Sequence, residues 1–250
     1  MYPDFKHGHY IWPKPLFVGH EGAIHKAERE DKTVAVKIIN TSKISEALTI
    51  KYIEIWETFD HPNLLKLDKW VIDGPSIYIF TDMAEIDLFD HIKKVLLPED
   101  DVFNITKQVS QGLKYIHDLD VAHRDVKSDN IVLCKGVWKL IDFGFLEKGK
   151  TSIEDKGTPL FTSPEQLQKS VYKIKPTDVW ALGITVYEML YRVTPFDRGT
   201  LNSTYKAIKL DQVEYKGKLL SEKMIELLNN TLKKNPEFRW TIEDVLEHLV

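Results

Sequence analysis

Two short segments hold most of the residues that could do chemistry. One is His123-Arg124-Asp125-Val126-Lys127-Ser128-Asp129-Asn130, and the other is Asp142-Phe143-Gly144. A carboxylate can accept a proton or grip a hard cation, an amide oxygen can do the second, and an ammonium group can hold an anion. A further ammonium, Lys37, stands inside the run TVAVKII at 33–39. A lone Asp or Lys is ordinarily a solvated surface residue. These differ because each borders apolar strand or motif residues. Asp142, for instance, directly follows Lys139-Leu140-Ile141, which reads as a strand ending at the site.

Such groups need a scaffold. Residues 17–18 and 23–28 suggest two short strands around a turn, and the β-branched run at 33–39 is a strong strand signal. Ile44, Leu48, Tyr52, Ile55, Trp56 and Phe59 recur at helical spacing and predict one apolar face. His61-Pro62-Asn63 ends that helix, because a residue before proline leaves the helical region. A strand pair is predicted over 64–71 and 77–81, across Asp73-Gly74-Pro75-Ser76. Beyond Thr81 the pattern turns helical over 87–95 and 101–119. Short strands follow near 131–133 and 138–141, then helices over 177–191, 202–209, 221–233 and 241–249. The expected class is α+β and bilobal: a small β-rich N-lobe with one main helix, a larger helical C-lobe, and a ligand crevice between them.

Bulk properties bound the function. With 250 residues, the chain suits one domain over 1–250: N-lobe about 10–81, hinge about 82–86, C-lobe about 87–250. A net charge of −4 argues against a general nucleic-acid or anionic-membrane binder. The single cysteine, Cys134, cannot form an internal disulfide and lies in the apolar run Ile131-Val132-Leu133, so a buried inert thiol is expected. The first residues lack a signal-peptide core, and the longest apolar stretch, 179–191, is too short to span a bilayer and holds Glu188. These features fit a soluble intracellular protein, cytoplasmic or nuclear. They leave the oligomeric state open.

The two segments at 123–130 and 142–144 resemble the catalytic loop and metal-binding triplet of eukaryotic-type protein kinases. Further pieces occur in family order: Val34-Ala35-Val36-Lys37, His61-Pro62-Asn63, Gly157-Thr158-Pro159, Ser163-Pro164-Glu165, the run from Asp178 to Gly183, and Arg239. The resemblance spans nearly the whole chain and implies a serine/threonine kinase catalytic domain using ATP and Mg²⁺ on a protein substrate. It makes Asp125 the residue that orients the acceptor hydroxyl and takes its proton, and Asn130 and Asp142 the metal ligands. Lys127 would stand near the transferred phosphoryl group, and Lys37 would hold the α- and β-phosphates. Lysine at Lys127 and threonine at Thr158 match serine/threonine members rather than tyrosine kinases. Thr158 would contact Asp125 and Lys127. Thr81 would back the adenine pocket, and backbone groups of Asp82, Met83 and Ala84 would bind the adenine edge. Val18, Ile24, Ala35 and Val132 would line it. Glu165 and Arg239 resemble a buried ion pair, and Asp178 resembles the residue that fixes the catalytic loop backbone.

Two departures stand out. The phosphate loop of the family reads G-x-G-x-x-G, whereas this chain offers Val18-Gly19-His20-Glu21-Gly22-Ala23-Ile24, about two residues shorter, with Gly19 and Gly22. Fewer backbone N–H groups would reach the phosphates, and the carboxylate of Glu21 would repel them unless it points elsewhere. Active kinases also pair Lys37's counterpart with a glutamate on the following helix. Counting from His61, that position holds Tyr52. Glu54 lies about 200° around the helix from it. Three readings remain: Glu54 after a register slip, an acid from elsewhere such as Glu21, or an unpaired Lys37 with low activity. A weakly active or inactive nucleotide-binding or scaffolding module is therefore the alternative function. In the activation segment, Glu154 falls where the family usually carries a phosphorylated threonine, and it could supply Arg124 with a permanent negative charge. Thr151 and Ser152 are alternative phosphosites.

Overall fold

A computed structural model describes residues 4–19, 21–30, 32–154 and 156–250. The N-terminal part is an antiparallel six-stranded sheet in the order β1-β2-β3-β4-β6-β5. Its strands are β1 (Asp4–Lys6), β2 (His9–Val18), β3 (Gly22–Arg29), β4 (Lys32–Asn40), β5 (Leu67–Asp73) and β6 (Ser76–Asp82). Helix α1 (Glu46–Glu57) crosses between β4 and β5, capped by the Ser45 hydroxyl, which accepts from the Leu48 N–H.

The sheet is buried on both faces, as the alternation in β6 records. Ile77 and Ile79 join the large core with α1, whereas Tyr78 and Phe80 join a second core with Ile11, Ala27, Val34 and Val36. The N-terminal hairpin covers that second face. His9 stacks on Phe80 with ring centroids 4.3 Å apart, and His7 lies 4.7 Å from the Tyr78 ring. The first described strand is thus β1 at Asp4–Lys6, and the strand predicted at 17–18 is the end of the ten-residue β2.

A second correction concerns α1. Its buried residues are Thr49, Tyr52, Ile53 and Trp56, while Leu48 is 63% exposed. The true apolar stripe is rotated from the predicted one, because Thr49 joins it by donating its hydroxyl to the Ser45 carbonyl.

The connection between lobes that belongs to neither strand is residues 83–85, since Asp82 ends β6 and β7 (Ile86–Asp87) begins at once. The C-terminal part contains α2 (Leu88–Lys94), α3 (Glu99–Asp118), β8 (Val121–Ala122), β9 (Ile131–Cys134) and β10 (Val137–Leu140). After them come β11 (Glu147–Lys148), β12 (Thr151–Ser152), β13 (Tyr172–Lys173), α4 (Lys175–Tyr191), α5 (Leu201–Leu210), α6 (Glu222–Thr231) and α7 (Ile242–His248). Every residue of α4 from Thr177 to Leu190 is buried. A helix buried all round sits at the centre of its lobe, and α4 packs there against α3 and α6. Among the described residues no helix is long and apolar enough to cross a membrane.

Candidate active site

The loop between β8 and β9 carries Asp125, Lys127 and Asn130, and α4 sets its shape from below. Buried Asp178 accepts from the Arg124 N–H at 2.7 Å and the His123 N–H at 2.8 Å, and lies 2.8 Å from His117 Nε2. Arg124 has φ 69°, a left-handed conformation that non-glycine residues adopt reluctantly. Two successive amides aimed at one carboxylate hold it there. Burial opposes the charge on Asp178, yet His117, His123 and the Arg124 amide outweigh it and hold the carboxyl below its ordinary range.

Above this floor the reactive groups converge. The Thr158 hydroxyl donates to Asp125 Oδ1 at 2.7 Å and accepts from Lys127 Nζ at 2.7 Å. Lys127 Nζ also lies 3.0 Å from Asp125 Oδ2. Asn130 Nδ2 donates to the carbonyl and to Oδ2 of Asp125, both at 2.8 Å. The amide nitrogen is thus spent on Asp125, which leaves Oδ1 as the oxygen for a cation. The Ile141 N–H donates to the Asn130 carbonyl at 2.9 Å, so Asp142 follows directly on a residue tied to Asn130.

Asp142 also has a left-handed backbone, with φ 59°. Its neighbour Phe143 is buried, with ring centroids 4.9 Å from Trp56, 5.5 Å from Phe59 and 5.5 Å from His123. This aromatic clamp fixes the turn, while the Asp142 side chain stays 41% exposed. Asp142 Oδ1 and Glu21 Oε2 lie 2.9 Å and 2.7 Å from Lys37 Nζ. Burial disfavours both charges, but the pairing prevails: the Lys37 pKa is raised by Asp142 and Glu21, and Asp142 is held low by Lys37, then His123 and Lys127. Tyr52 is buried with no hydrogen-bond partner for its hydroxyl among the described residues, and burial raises its pKa, so it faces Lys37 as a neutral group.

The remaining predicted positions lie on β2, β3, β4, β6 and β9, in the loop after β2 and in the connection after β6. Ile24 pairs with Lys37 across β3 and β4, and Ala35 pairs with Thr81 across β4 and β6. Val18 ends β2 and is exposed; Gly19 and Gly22 close the loop through an N–H to carbonyl bond of 2.8 Å, and His20 lies outside the described residues. Val132 is buried but belongs to none of the hydrophobic cores. The Asp82 carboxylate turns away to Lys135 at 2.7 Å and Lys32 at 3.0 Å. The backbone N–H groups of Met83 and Ala84 have no partner among the described residues.

This donor set fits a magnesium nucleotide. One carboxylate and one amide oxygen, with water access, suit a hard cation that keeps waters and takes phosphate oxygens. No group of three or more His, Cys, Asp or Glu suited to caging a metal occurs among the described residues. Free hinge N–H groups suit the acceptor edge of a purine.

The segment after Asp142 is held by Arg124, whose side chain is fully buried. Its guanidinium contacts the Glu147 carboxylate, the Glu154 carbonyl at 2.7 Å and the Tyr172 hydroxyl at 2.6 Å. The Glu154 carboxylate is 3.5 Å from Arg124 but pairs more closely with Lys156, at 2.6 Å. The segment's far end is anchored where Arg239 meets both oxygens of Glu165, at 2.6 Å and 2.9 Å.

A family profile described as "Protein kinase domain" matches residues 16–250. The chain belongs to the protein kinase family. Aurora kinase A-B of Xenopus laevis is 31% identical over 246 residues, covering 94% of this chain and 60% of the relative. Sperm motility kinase 3A of Mus musculus is 30% identical over 255 residues, covering 98% and 50%. Meiosis-specific serine/threonine-protein kinase mek1 of Schizosaccharomyces pombe is 32% identical over 243 residues, covering 86% and 52%. The kinase chain thus spans about half to three-fifths of the length of these relatives.

In this kinase, motif reading misses Glu147 and Tyr172 as partners of Arg124. Glu147 reaches it because β11 pairs with β8, Glu147 opposite Ala122. Two-residue strands leave no periodicity, so no sequence pattern marks this contact.

Proposed function

We propose that this chain is a serine/threonine protein kinase catalytic domain that transfers the γ-phosphoryl group of ATP to a protein hydroxyl. The observation that carries the reading is the hydroxyl of Thr158 held between Asp125 Oδ1 and Lys127 Nζ at 2.7 Å each, beside Asn130. A carboxylate and an ammonium arranged around one hydroxyl are the parts needed to steer a second, incoming one. Asp125 orients the acceptor hydroxyl and takes its proton as the oxygen bonds to the γ-phosphorus. The bond from that phosphorus to the β–γ bridging oxygen breaks, and ADP leaves. Lys127 and Lys37 offset charge on the phosphates, with Asn130 and Asp142 as the magnesium ligands. Bound magnesium would neutralise part of the triphosphate charge.

Thr81 backs the adenine pocket, with Val18, Ile24, Ala35 and Val132 on its walls, and the backbone of residues 82–84 binds the purine edge. The loop of Gly19 and Gly22 is short for the family, and α1 lacks the usual acid. Those two features favour a second reading, a weakly active or inactive nucleotide-binding module. Action inside the cell, cytoplasmic or nuclear, belongs to the same proposal.

The test is phosphate transfer from labelled ATP and magnesium to a basic protein substrate, alongside Asp125→Asn and Asp142→Asn. Transfer that both substitutions abolish supports the enzyme. Transfer that survives them, or never occurs although ATP raises the melting temperature, favours the second reading.

A further inference from the structure

We propose that Glu21, in the loop between β2 and β3, is the positioning residue for Lys37, standing in for an acid that α1 does not supply. The inference deepens the kinase reading and rests on it. Protein kinases hold this lysine with a helix glutamate. Here the α1 residue facing Lys37 is Tyr52, neutral, buried and without a hydrogen-bond partner among the described residues. Among the described residues the carboxylates paired with Lys37 are Glu21 and Asp142 alone. An ammonium has three N–H donors. Asp142 must turn to a cation when nucleotide binds, so Glu21 is the carboxylate left to hold Lys37 while the other donors reach phosphate.

Two glycines build this contact independently of the ion pair. A Cβ at Gly22, the first residue of β3 and the neighbour of Glu21, would lie 1.9 Å from the Ile38 carbonyl oxygen, so the chain directly after Glu21 lies tight against β4. A Cβ at Gly144 would lie 2.8 Å from Glu21 Oε1. The bare glycine of the Asp142-Phe143-Gly144 turn therefore makes room for one oxygen of Glu21, while the other meets Lys37. A carboxylate drifting in solvent would need neither accommodation. The arrangement couples loop closure to lysine placement: the loop must be down for Lys37 to be held. It also sets a carboxylate near the phosphates, so a higher ATP KM is the expected accompaniment.

The first test needs no nucleotide. Melting temperatures are compared for the full chain, Glu21→Gln, Lys37→Met and the double variant. Glu21→Gln should lower the melting temperature by about 2–4 °C when lysine is present. In the Lys37→Met background it should leave the value unchanged or raise it, because two carboxylates then face each other. Equal shifts in both backgrounds overturn the pairing. The second test is kinetic. Glu21→Gln should lower kcat roughly tenfold with little rise in the ATP KM, and adding Tyr52→Glu should restore most of the loss. A rise in kcat/KM for ATP would make Glu21 a mere obstruction and overturn the proposal. Failure of Tyr52→Glu to restore a folded double variant overturns it as well. If Tyr52→Glu does not fold, the thermal cycle and the kcat-against-KM split decide. Should the unmodified chain transfer no phosphate at all, the kinase reading fails, while the thermal cycle still judges the Glu21–Lys37 pair.

Discussion

Asp178→Asn is the substitution that asks most of the proposed architecture. It changes one atom in a buried site and leaves the volume intact, so packing is not at issue. Asp178 Oδ1 accepts from the Arg124 amide and Oδ2 from the His123 amide, with His117 Nε2 also at Oδ2. An asparagine has one acceptor oxygen, so its NH₂ must face either the Arg124 N–H or the His123 N–H. One buried donor is then unsatisfied, at about 1–3 kcal/mol, and the surviving bonds lose their charge assistance, each worth about 1.5–3 kcal/mol when present. A net loss of about 3–5 kcal/mol follows, and at about 2–4 °C per kcal/mol the melting temperature should fall on the order of 10 °C. Activity should fall further than stability alone explains. Arg124 keeps its left-handed φ only while both amides are held, and a release would carry Asp125 away from the acceptor hydroxyl. Misplacement by about 1 Å can cost about 10²-fold in rate. The sign with pH is fixed. The folded carboxyl lies below its unfolded value, so its stabilisation is full above about pH 4 and is lost as pH falls through the folded pKa. The gap in melting temperature between the two proteins should therefore be constant near neutrality and narrow in acid. Calorimetry from pH 7 down to pH 3, with initial rates measured well below the variant's transition, checks both parts. A variant that melts within a degree of the original, or keeps its full rate, refutes the reasoning.

Two further outcomes follow from ion pairs on the activation segment. Arg239→Met leaves Glu165 buried without its bidentate partner and should cost about 3–5 kcal/mol, seen as a large drop in the urea midpoint; a drop no larger than that of an exposed Lys66→Met would contradict it. Glu147→Gln removes the carboxylate closest to buried Arg124 and should lower activity more than Glu154→Gln, while Thr151→Ala should leave it unchanged; loss of activity in Thr151→Ala would show that the segment needs phosphate.

How far the sequence reveals this molecule depends on whether a feature is periodic or contingent. Helix α4 is legible because apolar residues run without a break from Val179 to Leu182, and the pairing of β5 with β6 is legible because Gly74-Pro75 punctuates two β-branched runs. The convergence of Asp125, Lys127, Asn130 and Asp142 is legible only through a known motif order, since nothing periodic brings 125 beside 142. The first hairpin escapes the pattern. Its signal is His7-Gly8, both with positive φ, which joins Lys6 to His9 in a two-residue turn. The flanking residues Asp4, Lys6 and His9 read as polar, and their apolar work is done by histidine rings on Phe80 and Tyr78. The buried face of α1 is misjudged for the same reason, as Thr49 counts as polar until its hydroxyl is satisfied within the helix.

The two acids that motif order does not assign, Glu21 and Glu147, occupy equivalent physical roles. Each meets a cation that the fold cannot easily leave uncompensated: Lys37, partly buried beside the β2–β3 loop, and Arg124, whose side chain is entirely buried. An unpaired buried charge is far more costly than the pair. On the proposed kinase reading, the positions of the helix carboxylate and of the added phosphate fall at Tyr52 and at Glu154, whose carboxylate pairs with Lys156. Each compensating charge comes instead from a residue brought close by a short local connection, the tight loop before β3 or the β11–β8 pair. A partner supplied by the loop holds Lys37 only while the loop is closed, and a partner within the segment holds Arg124 with no outside signal. On the proposed kinase reading, phosphate on the activation segment is therefore not required. Glu21→Gln is expected to lower kcat with little rise in the ATP KM, while incubation with a phosphatase leaves both unaltered.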